Sequence, residues 1–305
     1  MGYRKTVKSK TRKKIVLERI TLSTRQVLTV NLELCIGCGI CEKICPEKAV
    51  TKPLQVAIHN GRLIRKSQVD VEADKCTFCG ECVVVCPLNV IRMEIDGKER
   101  IPVVENEVFP IFVKNVTVDV SKCDPVCKLA CQEICPTKAV KVVVEGAEPL
   151  ERQKIVRVYI DKQLCIFCKK CEPACPRNAI RVTKPMSGLI ELNTNLCPKG
   201  CQVCIDICPS KCINIDESGK PTVTKEFCIY CGACQEVCPE KAITVRRISV
   251  LHSEIKSGAW NDALEKLTSY KALVKELNVK CKKKMHVRAS AIETRVTAPY
   301  RIRVP

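Results

Sequence analysis

One cysteine pattern recurs six times along the chain, and a repeat in fixed phase means one structural unit used again and again. The copies read CIGCGICEKICP from Cys35, CTFCGECVVVCP from Cys76, CDPVCKLACQEICP from Cys123, CIFCKKCEPACP from Cys165, CPKGCQVCIDICP from Cys197 and CIYCGACQEVCP from Cys228. Each ends in Cys-Pro and then runs through two variable residues, a small or apolar residue, and Val or Ile. Four copies are C-x2-C-x2-C-x3-C-P without deviation, a spacing that lets three thiolates on one tight loop meet three corners of a [4Fe–4S] cubane. Copy three is C-x3-C-x3-C-x3-C and copy five C-x3-C-x2-C-x3-C, so their loops are longer by two residues and by one.

Other uses of so much cysteine fit poorly. The chain has 26 Cys but only 11 aromatic residues in 305, so large side chains alone cannot organise its interior. Disulfides would suit a secreted chain, but no apolar run follows the basic N-terminus as in a signal peptide. No apolar stretch is long enough to span a membrane, and a cytoplasmic location is expected. Zinc ribbons use two separated Cys pairs rather than three cysteines and a fourth before proline. The formal charge of +19 also changes meaning if the cysteines are ligands. Six clusters at about −2 each would leave roughly +7, so much of the Lys and Arg excess balances cluster charge and nucleic-acid binding is not expected.

Within each loop, backbone amides can point at the sulfides as in an anion nest, and Gly37, Gly39, Gly80 and Gly232 supply the unusual dihedrals. Phe78, Phe167 and Tyr230 share the slot before the second cysteine, where they either shield a cluster from water or simply pack. Cys212 stands where other copies have Ala49, Ala139, Ala179 and Ala242, so it reads as a small buried residue rather than a ligand. Cys281, in a basic tail, reads as a free thiol.

Between the motifs, QVDVEADKC, VTVDVSKC and VRVYIDKQLC alternate as half-buried strands do, and Asn60-Gly61 and Asp96-Gly97 mark hairpin turns. The expected layout is a basic N-terminal segment over 1–26, two-site modules over 27–104, 105–184 and 185–248, and a helix with a basic tail over 249–305. Chain order suggests that copies pair one with two, three with four and five with six. The short gap from Cys175 to Cys197 leaves open a nested pairing of copies four and five inside three and six. Residues 1–14 hold seven Lys or Arg and no acid, and read as a solvated tail or a docking element for an acidic partner. Trp260, Leu264, Leu267, Leu273, Val274 and Leu277 follow helical spacing, as a helix that caps the last module or packs on another subunit.

Over nearly all of residues 30–245 the repeat resembles bacterial-type ferredoxins. The resemblance implies an α+β fold of tandem 2[4Fe–4S] modules with a C-terminal helix, and six [4Fe–4S] clusters. It also implies that the fourth cysteine of each copy serves the cluster of its partner copy. Under chain-order pairing, Cys35, Cys38, Cys41 and Cys86 then hold one cluster, and Cys76, Cys79, Cys82 and Cys45 the second. Cys123, Cys127, Cys131 and Cys175 hold the third, and Cys165, Cys168, Cys171 and Cys135 the fourth. Cys197, Cys201, Cys204 and Cys238 hold the fifth, and Cys228, Cys231, Cys234 and Cys208 the sixth.

Multiplied in one chain, the unit looks like the polyferredoxins of methanogenic archaea. AWNDALEKLTSYKALVKEL and the lysines after it are similar to the C-terminus of the polyferredoxin subunit of formylmethanofuran dehydrogenase, although the motifs do not select that subunit. That resemblance implies a hetero-oligomer subunit passing low-potential electrons to a tungsten or molybdenum catalytic subunit, from a donor such as heterodisulfide reductase or ferredoxin. No catalytic residues are expected: the three His form no ligand-like pair, and no phosphate-binding glycine loop is present. The alternatives are a free electron carrier, a subunit of a hydrogenase or heterodisulfide reductase complex, and a radical S-adenosylmethionine enzyme, whose spacing Cys197, Cys201 and Cys204 share.

Overall fold

The structure, a computed structural model, describes residues 5–53, 55–146 and 154–268. The first module contains β1 (Lys5–Lys10), β2 (Lys14–Ile20), β3 (Arg25–Asn31), α1 (Ile40–Ile44), β4 (Val50–Thr51), β5 (Ala57–His59), β6 (Arg62–Arg65), β7 (Asp70–Val71), α2 (Glu81–Val85), β8 (Ile91–Ile95), β9 (Lys98–Glu99) and α3 (Pro102–Glu105). The second has β10 (Asn115–Val118), α4 (Ala130–Glu133), β11 (Val140–Glu145), β12 (Lys154–Ile160) and β13 (Ile180–Thr183). The third has β14 (Met186–Leu192), α5 (Val203–Ile207), β15 (Ile213–Ile215), β16 (Pro221–Val223), α6 (Ala233–Val237) and β17 (Ile243–Val250), with α7 (Ala259–Leu267) after it.

One topology serves all three modules. The strand before the first motif pairs antiparallel with the strand after the second, as β3 with β8, β10 with β13 and β14 with β17. The strands between the motifs close a second ladder: β4 with β7, β11 with β12, and β15 with β16. This strand pairing joins copies one with two, three with four and five with six, and the nested arrangement is not what the structure adopts. Asn60-Gly61 and Asp96-Gly97 both have positive φ and turn the hairpins β5–β6 and β8–β9. The expected module limit at residue 248 falls inside β17.

The basic N-terminal segment differs from the expected separate tail. From residue 5 on it adds β1 and β2 to the first module, in a five-stranded sheet ordered β1-β2-β3-β8-β9. The reason is period-two burial beneath the charge: Ile15 and Leu17 on β2 are fully buried, while Lys14 and Ile20 at its ends are exposed. Burying each such side chain contributes about 1.5–3 kcal/mol, more than exposed lysines oppose. Lys8 and Lys10 both pair with Asp70 of β7, at 2.7 and 3.0 Å.

The C-terminal helix also reaches further than expected. It packs across the first module as well as the last: Trp260, Ala263, Leu264 and Leu267 share a core with Ile40 and Ile44 of α1, Val84 and Val85 of α2, and Met186 and Val250 of β14 and β17. The chain reaches this place because Val113 N–H donates to the Leu251 carbonyl and Ser253 N–H to that of Ile111. Phe109 and Phe112 then meet the fully buried Trp260 edge to face, with centroids 4.9 and 5.9 Å away. Leu273, Val274, Leu277 and Cys281 lie outside the described residues.

Candidate cluster sites

Each cysteine loop is shaped by left-handed backbone. Gly37, Phe78, Phe167 and Tyr230, one slot before the second cysteine, all have φ between 52° and 64°. Gly39, Gly80, Lys169 and Gly232, one slot after it, have φ of 74° to 91°. For Phe and Tyr this conformation is strained, so the slot is held by its surroundings. It turns backbone amides inward: Tyr230 N–H donates to Cys228 Sγ at 3.4 Å. Phe78 and Phe167 are buried, with the Arg19 guanidinium 4.4 Å from one ring and Lys114 Nζ 5.5 Å from the other. Copy three reaches a similar shape with Lys128 and Leu129 left-handed.

The fourth cysteine has its own cradle. In all six copies the second residue after Cys-Pro is left-handed, and it is always Lys or Asn: Lys48, Asn89, Lys138, Asn178, Lys211 and Lys241. The next amide then turns back on the sulfur. Ala49, Ala139, Ala179, Cys212 and Ala242 N–H donate to Cys45, Cys135, Cys175, Cys208 and Cys238 Sγ at 3.2 to 3.4 Å. Their side chains are buried, which explains the small residue there. The Lys/Asn slot reads as variable in the sequence, and its signal is Asn, which tolerates this conformation well among non-glycine residues.

The thiols gather in quartets drawn from paired copies. One cavity is lined by Cys123, Cys127, Cys131 and Cys175, another by Cys197, Cys201, Cys204 and Cys238, and a third by Cys135, Cys165, Cys168 and Cys171. Cys41 is within electrostatic reach of Cys38, Cys86 and Cys35, and Cys82 of Cys79, Cys76 and Cys45. Cys231 lies likewise near Cys234 and Cys208, and Cys212 near Cys228. Burial, then neighbouring thiols, push Cys131 up to about 11 and Cys171 and Cys204 up to about 12, so without a metal these thiols stay protonated. Among the described residues no three such side chains converge on a single metal ion. Four thiols around a cavity, with amides aimed at sulfur, suit a polynuclear group that brings its own sulfide.

Cys212 does more than fill an alanine slot. Its Sγ is 3.6 Å from Cys208 Sγ, so a fifth thiol touches that quartet.

Three quartets face one another across the modules. Leu88, Pro136 and Pro209, each beside a fourth cysteine, line one groove of about 600 Å³ together with Ile36 and Ile166. A half-buried cation stands at each junction. Lys114 Nζ donates to Asn89 Oδ1 at 2.6 Å, Asn89 Nδ2 donates to the Cys165 carbonyl at 3.1 Å, and Lys114 feels both Cys86 and Cys165. Lys184 Nζ donates to the Cys228 carbonyl at 3.0 Å and feels Cys228 and Cys168. Arg247 Nη2 donates to the Cys231 carbonyl at 2.7 Å, and the guanidinium feels Cys38 and Cys231. Burial lowers the pKa of all three, against the opposing pull of the neighbouring cysteines. No pattern marks these residues in advance, because Lys114 and Lys184 are ordinary lysines between motifs and Arg247 is an ordinary arginine after the last one.

Known proteins share this arrangement. The 4Fe-4S dicluster domain matches residues 34–90, and the 4Fe-4S binding domain matches 158–181 and 221–244. A ferredoxin of Alicyclobacillus acidocaldarius is 44% identical over 69 residues, 21% of this chain and 74% of that protein. Subunit I 2 of NADH-quinone oxidoreductase from Geobacter metallireducens is 41% identical over 64 residues, and the match spans 21% of this chain and only 47% of that subunit. The polyferredoxin protein MvhB of Methanothermobacter marburgensis is 29% identical over 108 residues, covering 33% of this chain and 23% of its own length. A chain of the formate dehydrogenase–heterodisulfide reductase–formylmethanofuran dehydrogenase complex from Methanospirillum hungatei superposes with a TM-score of 0.73 at 30% identity, over 87% of this chain and 91% of that one. With its repeated fold and its tandem cysteine loops, the chain belongs to the 4Fe–4S ferredoxins.

Proposed function

We propose that the six quartets hold six [4Fe–4S] clusters and that the chain is a non-catalytic subunit conducting low-potential electrons between oxidoreductase subunits. Each cluster would supply one-electron transfer with little change of shape. The chain's own part is to supply four thiolates per site, aim amide N–H groups at sulfur and exclude water. The observation that carries this reading is the gathering of four thiols, three from one loop and one from its partner, at sites repeated through the chain. At the quartet with radical-enzyme spacing, Cys238 closes the fourth side, which favours electron transfer over that chemistry.

The acceptor we favour is a tungsten or molybdenum formylmethanofuran dehydrogenase. Likeness over most of the chain to a chain of a complex containing that enzyme and heterodisulfide reductase supports it. The similarity to MvhB supports a second reading, in which the partner is a hydrogenase or heterodisulfide reductase complex. Among the described residues no helix is long and apolar enough to cross a membrane.

Anaerobic purification from the native source tests both parts. Six sites require about 24 iron and about 24 sulfide per chain. Half that content would defeat the six-cluster reading. Co-purification with a tungsten or molybdenum enzyme is expected. A free monomer would defeat the subunit reading in favour of a carrier.

A further inference from the structure

The three cations at the module junctions hydrogen-bond to the cysteine loops or their cradles, and each stands between sites of different modules. Lys114 bridges the Cys35 and Cys165 sites through Asn89, whose Nδ2 reaches the Cys165 carbonyl. Lys184 lies between the Cys165 and Cys228 sites and donates to the Cys228 carbonyl at 3.0 Å. Arg247 lies between the Cys35 and Cys228 sites and donates to the Cys231 carbonyl at 2.7 Å and the Leu267 carbonyl at 3.4 Å. Its Nε is buried without a hydrogen-bond partner. A Cβ at Gly232 would come within 3.3 Å of Arg247 Nη2, so the missing side chain lets the guanidinium approach the loop.

Taking a charge partly out of water is costly unless it is compensated, and these three half-buried cations have mostly carbonyls, an amide and thiols around them, with the Glu236 carboxylate acting on Arg247 alone. Reduction of a cluster adds one negative charge, and a nearby cation in a low-dielectric setting favours the reduced form. A cation between two sites acts on both.

We propose that Lys114, Lys184 and Arg247 are positioning residues for inter-module electron transfer, each raising together the reduction potentials of the two clusters it stands between. The three pairs share members, so each inner site feels two of the cations. Electrons arriving from any module then meet a matched set of potentials where the modules join. Arg19 offers a contrast, because its guanidinium faces Cys76 in the first module and donates to the Thr77 carbonyl at 2.9 Å.

The proposal rests on cluster ligation by the quartets, which the iron content of the wild-type chain tests separately. Potentiometric titration of the full-length protein, followed by electron paramagnetic resonance, tests the cations. Arg247→Gln, Lys114→Gln and Lys184→Gln are each expected to move two clusters to more negative potential at full iron content. The double variant Arg247→Gln/Lys114→Gln should move one cluster by the sum of both shifts. Arg247→Lys keeps the charge and should restore the wild-type potentials, while Arg19→Gln should move one cluster only. The proposal is overturned if fully loaded variants keep wild-type potentials or if Arg247→Lys shifts as far as Arg247→Gln. It is also overturned if all three Gln variants lose iron while the remaining clusters titrate unchanged, since the residues would then be structural.

Discussion

The Cys35 and Cys123 sites present the same four thiols in unlike settings. At the first, Cys35, Cys41 and Cys86 are buried, Arg247 stands beside Cys38, and α1 and α2 lie under α7. At the second, none of Cys123, Cys127, Cys131 and Cys175 is buried, and Val126 inside the loop is 65% exposed. Its longer loop reaches the thiol positions with Lys128 and Leu129 left-handed where the first site uses glycines. The motif therefore determines which atoms meet, while packing between modules determines how well water is kept out. Solvent access is a main control on cluster potential and lability, so two such sites should behave differently on one chain.

The largest way to break the contrast is to remove the cover. Trp260→Ala empties a fully buried position shared with α1, α2, Phe109 and Phe112, and should cost about 3–5 kcal/mol. In the wild type an anaerobic chelator should strip iron from the Cys123 site before the Cys35 site. In Trp260→Ala the first module should become the labile one, with the Cys123 site unchanged. Iron release followed by absorbance, with Tm measured in parallel, decides the matter. An unaltered order of release would mean that α7 does not protect the first module.

The same contrast explains what could be read in advance. The grouping of thiols follows from the repeated short loops and from strands that pair across each repeated module, while the turns at Asn60-Gly61 and Asp96-Gly97 are local. The N-terminal strands were hidden because Lys and Arg dominate the segment, although Ile15 and Leu17 alternate as a half-buried strand requires. The helix was legible as a helix, but its seat across the first and last modules depends on Phe109, Phe112 and a chain return far away in sequence. Likewise the hairpin β5–β6 docks on the third module, where Arg62 reaches Asp206 at 2.7 Å and Gln202 N–H donates to the Gly61 carbonyl. No local pattern specifies such contacts between modules.

A medium effect separates loop conformation from loop packing. Gly37 and Gly200 are both left-handed, with φ of 64° and 79°. An added Cβ at Gly37 would overlap the Ser67 carbonyl, whereas at Gly200 nothing lies within 4 Å. Gly200→Ala should therefore cost only the conformational penalty of about 1–2 kcal/mol. Gly37→Ala should cost more and disturb the Cys35 site, because backbone must move. Urea unfolding of the two loaded variants compares them directly. Equal losses would show that packing at Gly37 relaxes freely.

The smallest expected effect concerns the fifth thiol at the Cys228 site. Cys212 sits in the slot that alanine fills in four sister copies, and its amide donates to Cys208 Sγ as theirs do. The backbone role needs no side chain, so Cys212→Ala should retain full iron, with a stability change of about 1 kcal/mol or less. What the substitution removes is the thiol 3.6 Å from Cys208 Sγ. With Cys208 bound as thiolate, Cys212 is the donor, and a hydrogen bond to a ligating sulfur disperses charge and favours the reduced cluster. The variant should therefore move one cluster slightly to more negative potential and leave the other five in place. Cys208→Ser is the counterpart and should lose about four iron, because it removes a thiol of the quartet itself. Loss of iron on changing Cys212 would mean that the quartet is completed by Cys212 rather than Cys208. An unchanged potential at full iron would mean that its thiol serves only to pack.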